Sequence, residues 1–318
     1  MNRRDLLLAG AAGAALAATP LPLLAQSRAP AFEGVQRLRV GDAIVTALSD
    51  GHVDIITPQA QVLKGIEVDA YEAAIAASGR GAGARQTDVN AYLVEVADRR
   101  ILIDAGTNKG FIPTLGFTQD ALRAAGHAPE DVTDILITHL HPDHSAGLIA
   151  EAGDALYPNA RVLVHEAEHA YWVDGDAASA GRPDMEVQFA LAKQAAQVSG
   201  ERWELFSGAE LGLPGITAEP LFGHTPGHVG CMIESAGERV FVVADIVHQP
   251  VIQLARPDVV VAFDADRDAA REIRRRTLDR VATDRERILG MHLPFPGAGT
   301  VERLADGYRW VAEEREYF

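Results

Sequence analysis

Cysteine is nearly absent, with Cys231 alone in 318 residues. No intrachain disulfide can form, and no thiolate cluster can hold a metal. Within its apolar run Cys231 reads as a small core residue. Positive charge is scarce as well: 29 Lys and Arg stand against 45 Asp and Glu, a formal net charge of −16. Phosphate backbones need clustered cations, so a nucleic-acid partner is excluded. The same imbalance gives an anionic ligand nothing to approach and favours a neutral one. Short internal repeats and low-complexity segments are missing too. So is any G-x-S-x-G turn, which removes one route to a serine nucleophile.

The N-terminus carries an address. Met1 to Ala25 begins with Arg3-Arg4, continues through Leu, Ala and Gly, and ends at Leu23-Leu24-Ala25. A charged start, an apolar middle and a small final residue describe a cleaved secretory signal, and the paired Arg points to the twin-arginine route. Pro20 and Pro22 weaken the competing reading as a membrane anchor. Residues 1–31 are therefore expected to be a signal and short linker, and residues 32–318 one domain. The mature chain is expected in the periplasm, meeting a membrane only during export.

Strand and helix signals interleave along the mature chain, which predicts an α/β class. Strands are expected at Leu38 to Val40, Ala43 to Leu48, Asn90 to Val96, Arg100 to Asp104, Ile135 to Thr138 and Arg161 to Val164. Others follow near Ile216 to Leu221 and in a hairpin of Val229 to Ile233 with Val240 to Val243, turning through Ser235-Ala236-Gly237. Helices are expected to open at Thr118 and Glu166, and to run over Met185 to Val198, Arg267 to Ala282 and Val301 to Tyr317. Ser78 to Arg85 and Asp174 to Asp184 read as loops. His165 and His169 share a helical spacing beside Glu166 and Glu168, and that face is expected to be solvated.

The densest chemistry is His139-Leu140-His141-Pro142-Asp143-His144, placed directly after an apolar strand. Two His at i and i+2 on extended chain point the same way and can hold one cation. Past the turn that Pro142 forces, Asp143 and His144 can face a second. Imidazole and carboxylate suit zinc, with manganese, cobalt or iron as alternatives.

This hexapeptide resembles the H-x-H-x-D-H signature of the metallo-β-lactamase superfamily. Ile101 to Thr107, His224-Thr225-Pro226-Gly227-His228, Val242 to Asp245 and Met291-His292-Leu293-Pro294 look like its other landmarks, in order. The resemblance implies a four-layer αββα sandwich with two divalent cations per chain, and a homodimer. It implies that His139, His141 and His228 bind the first cation, that Asp143, His144 and His292 bind the second, and that Asp245 bridges them. Asp104 is expected to orient a ligand or its loop, and His224 to shape the turn or support a ligand. His52, His127 and His248 have no motif partner. Two cations about 3.5 Å apart make a shared water hydroxide near neutral pH, a nucleophile bridging them. Asp143 is then the nearest group to accept a proton.

Departures within the superfamily narrow the reading. A bridging Asp245 argues against antibiotic hydrolysis, acidity against RNA processing, and His141-Pro142-Asp143, where Glu-x-Asp is usual, against the diiron oxidoreductases. Gly41 to Gly51, Asp245 to His248 and His292 to Gly297 are similar to the methyl parathion hydrolase branch and its lactonase relatives. That likeness implies hydrolysis of neutral lactones or aryl esters, with organophosphate triesters as further substrates, in a pocket lined by Phe111, Trp172 and Phe189. The alternatives are a thioester hydrolase, a persulfide oxygenase, or a metal-binding relative without catalysis.

Overall fold

The structure is a computed structural model that describes residues 34–54 and 62–314. The signal expected over Met1 to Ala31 lies outside the described residues. Among those residues two seven-stranded sheets dominate. The first runs in the order Val35–Val40, Ala43–Asp54, Gln86–Val96, Arg99–Ile103, Asp134–Ile137, Arg161–His165, Trp203–Phe206. Its first four strands pair antiparallel and the last three add in parallel. The second runs Tyr308–Ala312, Ala298–Arg303, Ile288–Gly290, Glu238–Ala244, Val229–Ser235, Ile216–Pro220, Glu210–Leu213. Only Glu238–Ala244 with Ile288–Gly290 is parallel there.

The pleat explains how the sheets stack. In Asp134–Ile137, Leu136 packs in one buried cluster with Val242 and Ile233 of the second sheet, while Ile135 and Ile137 join a different cluster. That outer cluster holds Leu122 from the helix Thr118–Ala124 and Ala192 from the helix Glu186–Ser199. On the far side Phe241 and Val243 meet Leu278 and Val281 of the helix Arg267–Asp284. Apolar runs with both faces covered are what a central strand requires. The layers are helix, sheet, sheet, helix. Each fully buried Leu, Ile or Phe side chain contributes about 1.5–3 kcal/mol. Cys231 is wholly buried between the sheets.

Three expectations are corrected. Val301 onward is not a helix: Ala298–Arg303 and Tyr308–Ala312 form an antiparallel hairpin, with Val301 opposite Trp310. Asp306-Gly307 is the turn signal that governs there, Gly307 taking a left-handed φ of 84°. A helix at Val68–Ala77 lies where no element was expected, and Gly81–Arg85 is a turn of 3-10 helix. Glu168 is not solvated but fully buried, and His165 is 7% exposed, packed between Phe206 and Phe222.

Candidate metal centre

The strand Asp134–Ile137 hands the chain to the His-rich loop at one end of the sandwich. His141 is still extended (φ −65°, ψ 152°), and Pro142 then opens the short helix Pro142–Ser145 that carries Asp143 and His144. Proline costs nothing at a first helical position, where no partner awaits its N–H. Asp104 follows the neighbouring strand with a left-handed φ of 59°. Its carboxylate accepts from Thr138 N at 2.7 Å and Thr138 Oγ1 at 2.8 Å, and lies 2.7 Å from His144 Nδ1. That contact favours a proton on Nδ1 of His144 and turns Nε2 toward Asp143 and Asp245. Asp104 thus ties His144 to the loop that follows the strand Asp134–Ile137.

The second sheet supplies the remaining groups. His224 lies in the loop after Ile216–Pro220, Asp245 directly follows Glu238–Ala244, and His292 follows Ile288–Gly290. His139 Nε2 stands 3.0 Å from His141 Nδ1, which stands 2.9 Å from His224 Nε2. Asp245 Oδ2 lies 3.6 Å from His139, 3.4 Å from His224 and His144, and 3.1 Å from His292, measured to each Nε2. One set of donor atoms, from His139, His141, His224 and Asp245, is mutually within 4.8 Å; Asp143, His144 and His292 form a second. Asp245 faces both.

His224 and His228 exchange the places expected for them. His228 Nε2 accepts from Asp245 N at 3.1 Å and its Nδ1 donates to Leu221 O at 2.9 Å, so the backbone occupies both nitrogens. Burial and then His224 pull its pKa down to about 3, and it is neutral. His224 instead has Nδ1 2.7 Å from the buried Asp264 and Nε2 in the cluster. His292 is steadied likewise, with Nδ1 2.8 Å from Asp88 O. Outer partners of this kind fix which nitrogen offers its lone pair.

The groups fit divalent cations. Burial holds His139 and His141 well below the usual imidazole range, so both are neutral donors. His141 Nδ1 lies within 3.0 Å of both His139 Nε2 and His224 Nε2, and the Asp245 carboxylate faces the same space, a donor set that a cation would satisfy. His144 Nε2 and Asp245 Oδ1 are buried with no hydrogen-bond partner, which costs about 1–3 kcal/mol each when unrelieved. A nitrogen and carboxylate set suits zinc, and also manganese, cobalt or iron.

A family model described as the metallo-beta-lactamase superfamily matches residues 84–292, more than half of the chain. The chain belongs to the metallo-β-lactamase superfamily. It is 28% identical over 113 residues to the N-acyl homoserine lactonase AiiB of Agrobacterium fabrum strain C58, a match over 29% of this chain and 39% of that relative. The solved structure of the hydrolase AbOPH is 29% identical with a TM-score of 0.81, covering 90% of this chain and all 100% of that one. The dizinc quorum-quenching lactonase AidC superposes with a TM-score of 0.82 at 24% identity, over 89% and 99% of the two chains.

Within this superfamily frame three groups escaped the sequence reading. His248 has Nε2 3.1 Å from Asp245 Oδ2 and its ring stacked on His292 at 5.1 Å. Burial above all pulls it down to about 4, so it is neutral. Glu168 accepts from Leu140 N at 2.9 Å and Gly227 N at 2.7 Å, tying the loop of His139 and His141 to that of His224. Phe263 stands edge-on to His141 at 5.7 Å and to His248 at 5.3 Å. The His248 signal was available only as its spacing from Asp245; the other two had none.

A cleft of about 280 Å³ opens over the centre, bounded by Phe111, Ile112, Leu115, Met185 and Phe263 and floored by His141, Asp143, Asp245, His248 and His292. Of the three aromatics expected there, Phe111 lines it. Trp172 and Phe189 do not. They are 1% and 3% exposed, pack on each other at 4.6 Å, and Trp172 presses edge-on against His141 from behind at 5.2 Å. Phe189 sits on the helix Glu186–Ser199, and both rings belong to the outer buried cluster.

Proposed function

We propose that the chain is a metal-dependent hydrolase of neutral lactones and aryl esters. The observation that carries this reading is an apolar cleft, free of Lys and Arg among its described lining residues, that ends on the converging His and Asp donors. His139, His141, His224 and Asp245 would hold one cation; Asp143, His144, His292 and Asp245 the other. When bound, such a pair supplies Lewis acidity that makes water nucleophilic near neutral pH and polarises a carbonyl. Asp143 reaches the cleft 3.5 Å from both His144 and His292. Against the burial that disfavours its charge, those two rings hold its carboxyl below the usual range, so it is ionised. It is the carboxylate positioned to take up a proton as water attacks. His248 projects a neutral ring into the cleft, where an N–H can donate to a substrate oxygen.

The lactonase relative and the AbOPH fold both support hydrolysis. An organophosphate triester with a phenoxide leaving group meets the same requirements of neutrality and apolar bulk, and is the second substrate class. Export through Arg3-Arg4 and a periplasmic site of action belong to the same proposal. The test is a zinc- or manganese-loaded sample assayed with dihydrocoumarin, hexanoyl homoserine lactone, paraoxon and a β-lactam. Lactone turnover that chelation abolishes is expected; lactone turnover that survives complete metal removal, or none with metal bound, overturns the reading.

A further inference from the structure

The cleft is built against a defect in a strand. Ala43–Asp54 pairs with Gln86–Val96 in regular register until Ser49, where the register shifts before Gly51. The displaced residue, Asp50, is fully buried. Its carboxylate accepts from Thr107 N at 3.0 Å and Gly116 N at 3.1 Å through one oxygen, and from Thr118 N at 2.9 Å and Thr118 Oγ1 at 2.7 Å through the other. Its carbonyl accepts from Phe117 N at 3.2 Å. Gly51 takes a left-handed φ of 117°, and a Cβ there would stand 1.9 Å from Thr114 O. The next residue, His52, donates its N–H to that same Thr114 O at 3.1 Å.

Every one of these partners lies between residues 107 and 118, the irregular segment that presents Phe111, Ile112 and Leu115 to the cleft. The segment has one further charged tether, Lys109 to Asp120 at 2.9 Å, which is solvent-exposed on both sides and so contributes little. A buried carboxylate satisfied by N–H and O–H donors is a stronger fixture.

We propose that the Asp50-Gly51 bulge is the anchor of the cleft wall, and that Asp50 is a positioning residue which sets substrate preference without touching substrate or metal. The inference rests on the hydrolase reading for its kinetic consequences, though not for its structural ones. Holding the wall still preorganises the apolar surface that receives the substrate's ring, so loosening it raises KM and leaves the chemical step alone.

The experiment uses the metal-loaded chain and three variants. Asp50→Asn replaces one acceptor oxygen with a donor nitrogen that faces backbone N–H groups. Gly51→Ala drives a methyl group into Thr114 O. Thr118→Val removes a single hydrogen bond and keeps the shape. We expect KM for dihydrocoumarin to rise about 5- to 10-fold in the first two and about twofold in the third, with kcat near wild type. Metal content should be unchanged, and deuterium exchange should quicken over residues 107–117 while residues 138–144 stay as before. Parallel loss of metal, or exchange unaltered in all three, overturns the anchor. Faster exchange with KM unchanged removes the role in preference. Should Asp50→Asn fail to fold, the other two carry the test. A wild-type chain inactive on every lactone defeats the proposed function instead, and the exchange measurement still decides on the anchor.

Discussion

Replacing His224 with Ala takes one nitrogen from the donor cluster and leaves the buried carboxylate of Asp264 with only Val261 N as a partner. Metal content measured by elemental analysis should fall from about two to about one per chain, with hydrolysis nearly abolished. His228→Ala empties two backbone hydrogen bonds instead. It should lower stability by about 1–3 kcal/mol, read by denaturant unfolding, and keep its metal. The opposite result for the pair would restore His228 to the ligand set. Glu168→Gln gives up one of two accepting oxygens that join the ligand loops. An outer-shell change of this kind should weaken metal affinity about 10- to 100-fold in a competition with a chromogenic chelator. Six of the seven expected residues come together in the donor cluster: H-x-H-x-D-H carries its own local geometry, whereas Asp245 and His292 were readable only through the resemblance to the superfamily. His224 and His228 were not separable that way. Their roles are decided by Asp264 and by the Leu221 carbonyl, and nothing in H-T-P-G-H says which ring will meet which.

Among the elements, most inner strands and the long helices Glu186–Ser199 and Arg267–Asp284 were legible, and the edge strands Trp203–Phe206 and Glu210–Leu213 were not. Asp134–Ile137 and Glu238–Ala244 are apolar on both faces and bounded by turns, so their type and burial follow from pattern alone. Val68–Ala77 begins at Glu67 without a side-chain cap and buries only Tyr71 and Ile75, too thin a stripe to read. The terminal hairpin was missed because Glu302, Arg303, Leu304 and Ala305 are helix formers, which masked the Asp306-Gly307 turn between the two strands. Helix Arg267–Asp284 has a role its charge conceals. Arg274 is 1% exposed and donates to Ile246 O at 2.7 Å and Val259 O at 2.8 Å, on either side of the segment that carries His248. Arg274→Met leaves the Ile246 carbonyl buried and unpaired, and the Val259 carbonyl with Gln253 Nε2 alone. A loss of about 2–5 kcal/mol is expected in thermal or urea unfolding. A change below ~1 kcal/mol would mean that water reaches them.

For the molecule as a whole, the leader makes a separate prediction. Arg3→Lys with Arg4→Lys should leave full-length precursor in the cytoplasm, seen by fractionation and blotting. Mature periplasmic protein persisting in that variant would refute the twin-arginine route. The donors themselves come from both halves of the sandwich. Loop 138–144 descends from the first sheet, and His224, Asp245 and His292 from the second. A cation shared between them would bridge the two sheets, in a chain whose single cysteine can form no internal disulfide. The site exists only once both sheets have folded, so the free energy of binding adds to that of folding. At a thousandfold excess of metal over its dissociation constant the linkage is worth about 4 kcal/mol. Chelation should then lower Tm by about 10 °C, reversibly, on top of abolishing turnover. In this fold the metal would be the staple as well as the reagent: metal supply would govern how much folded protein persists, before it governs how fast that protein works.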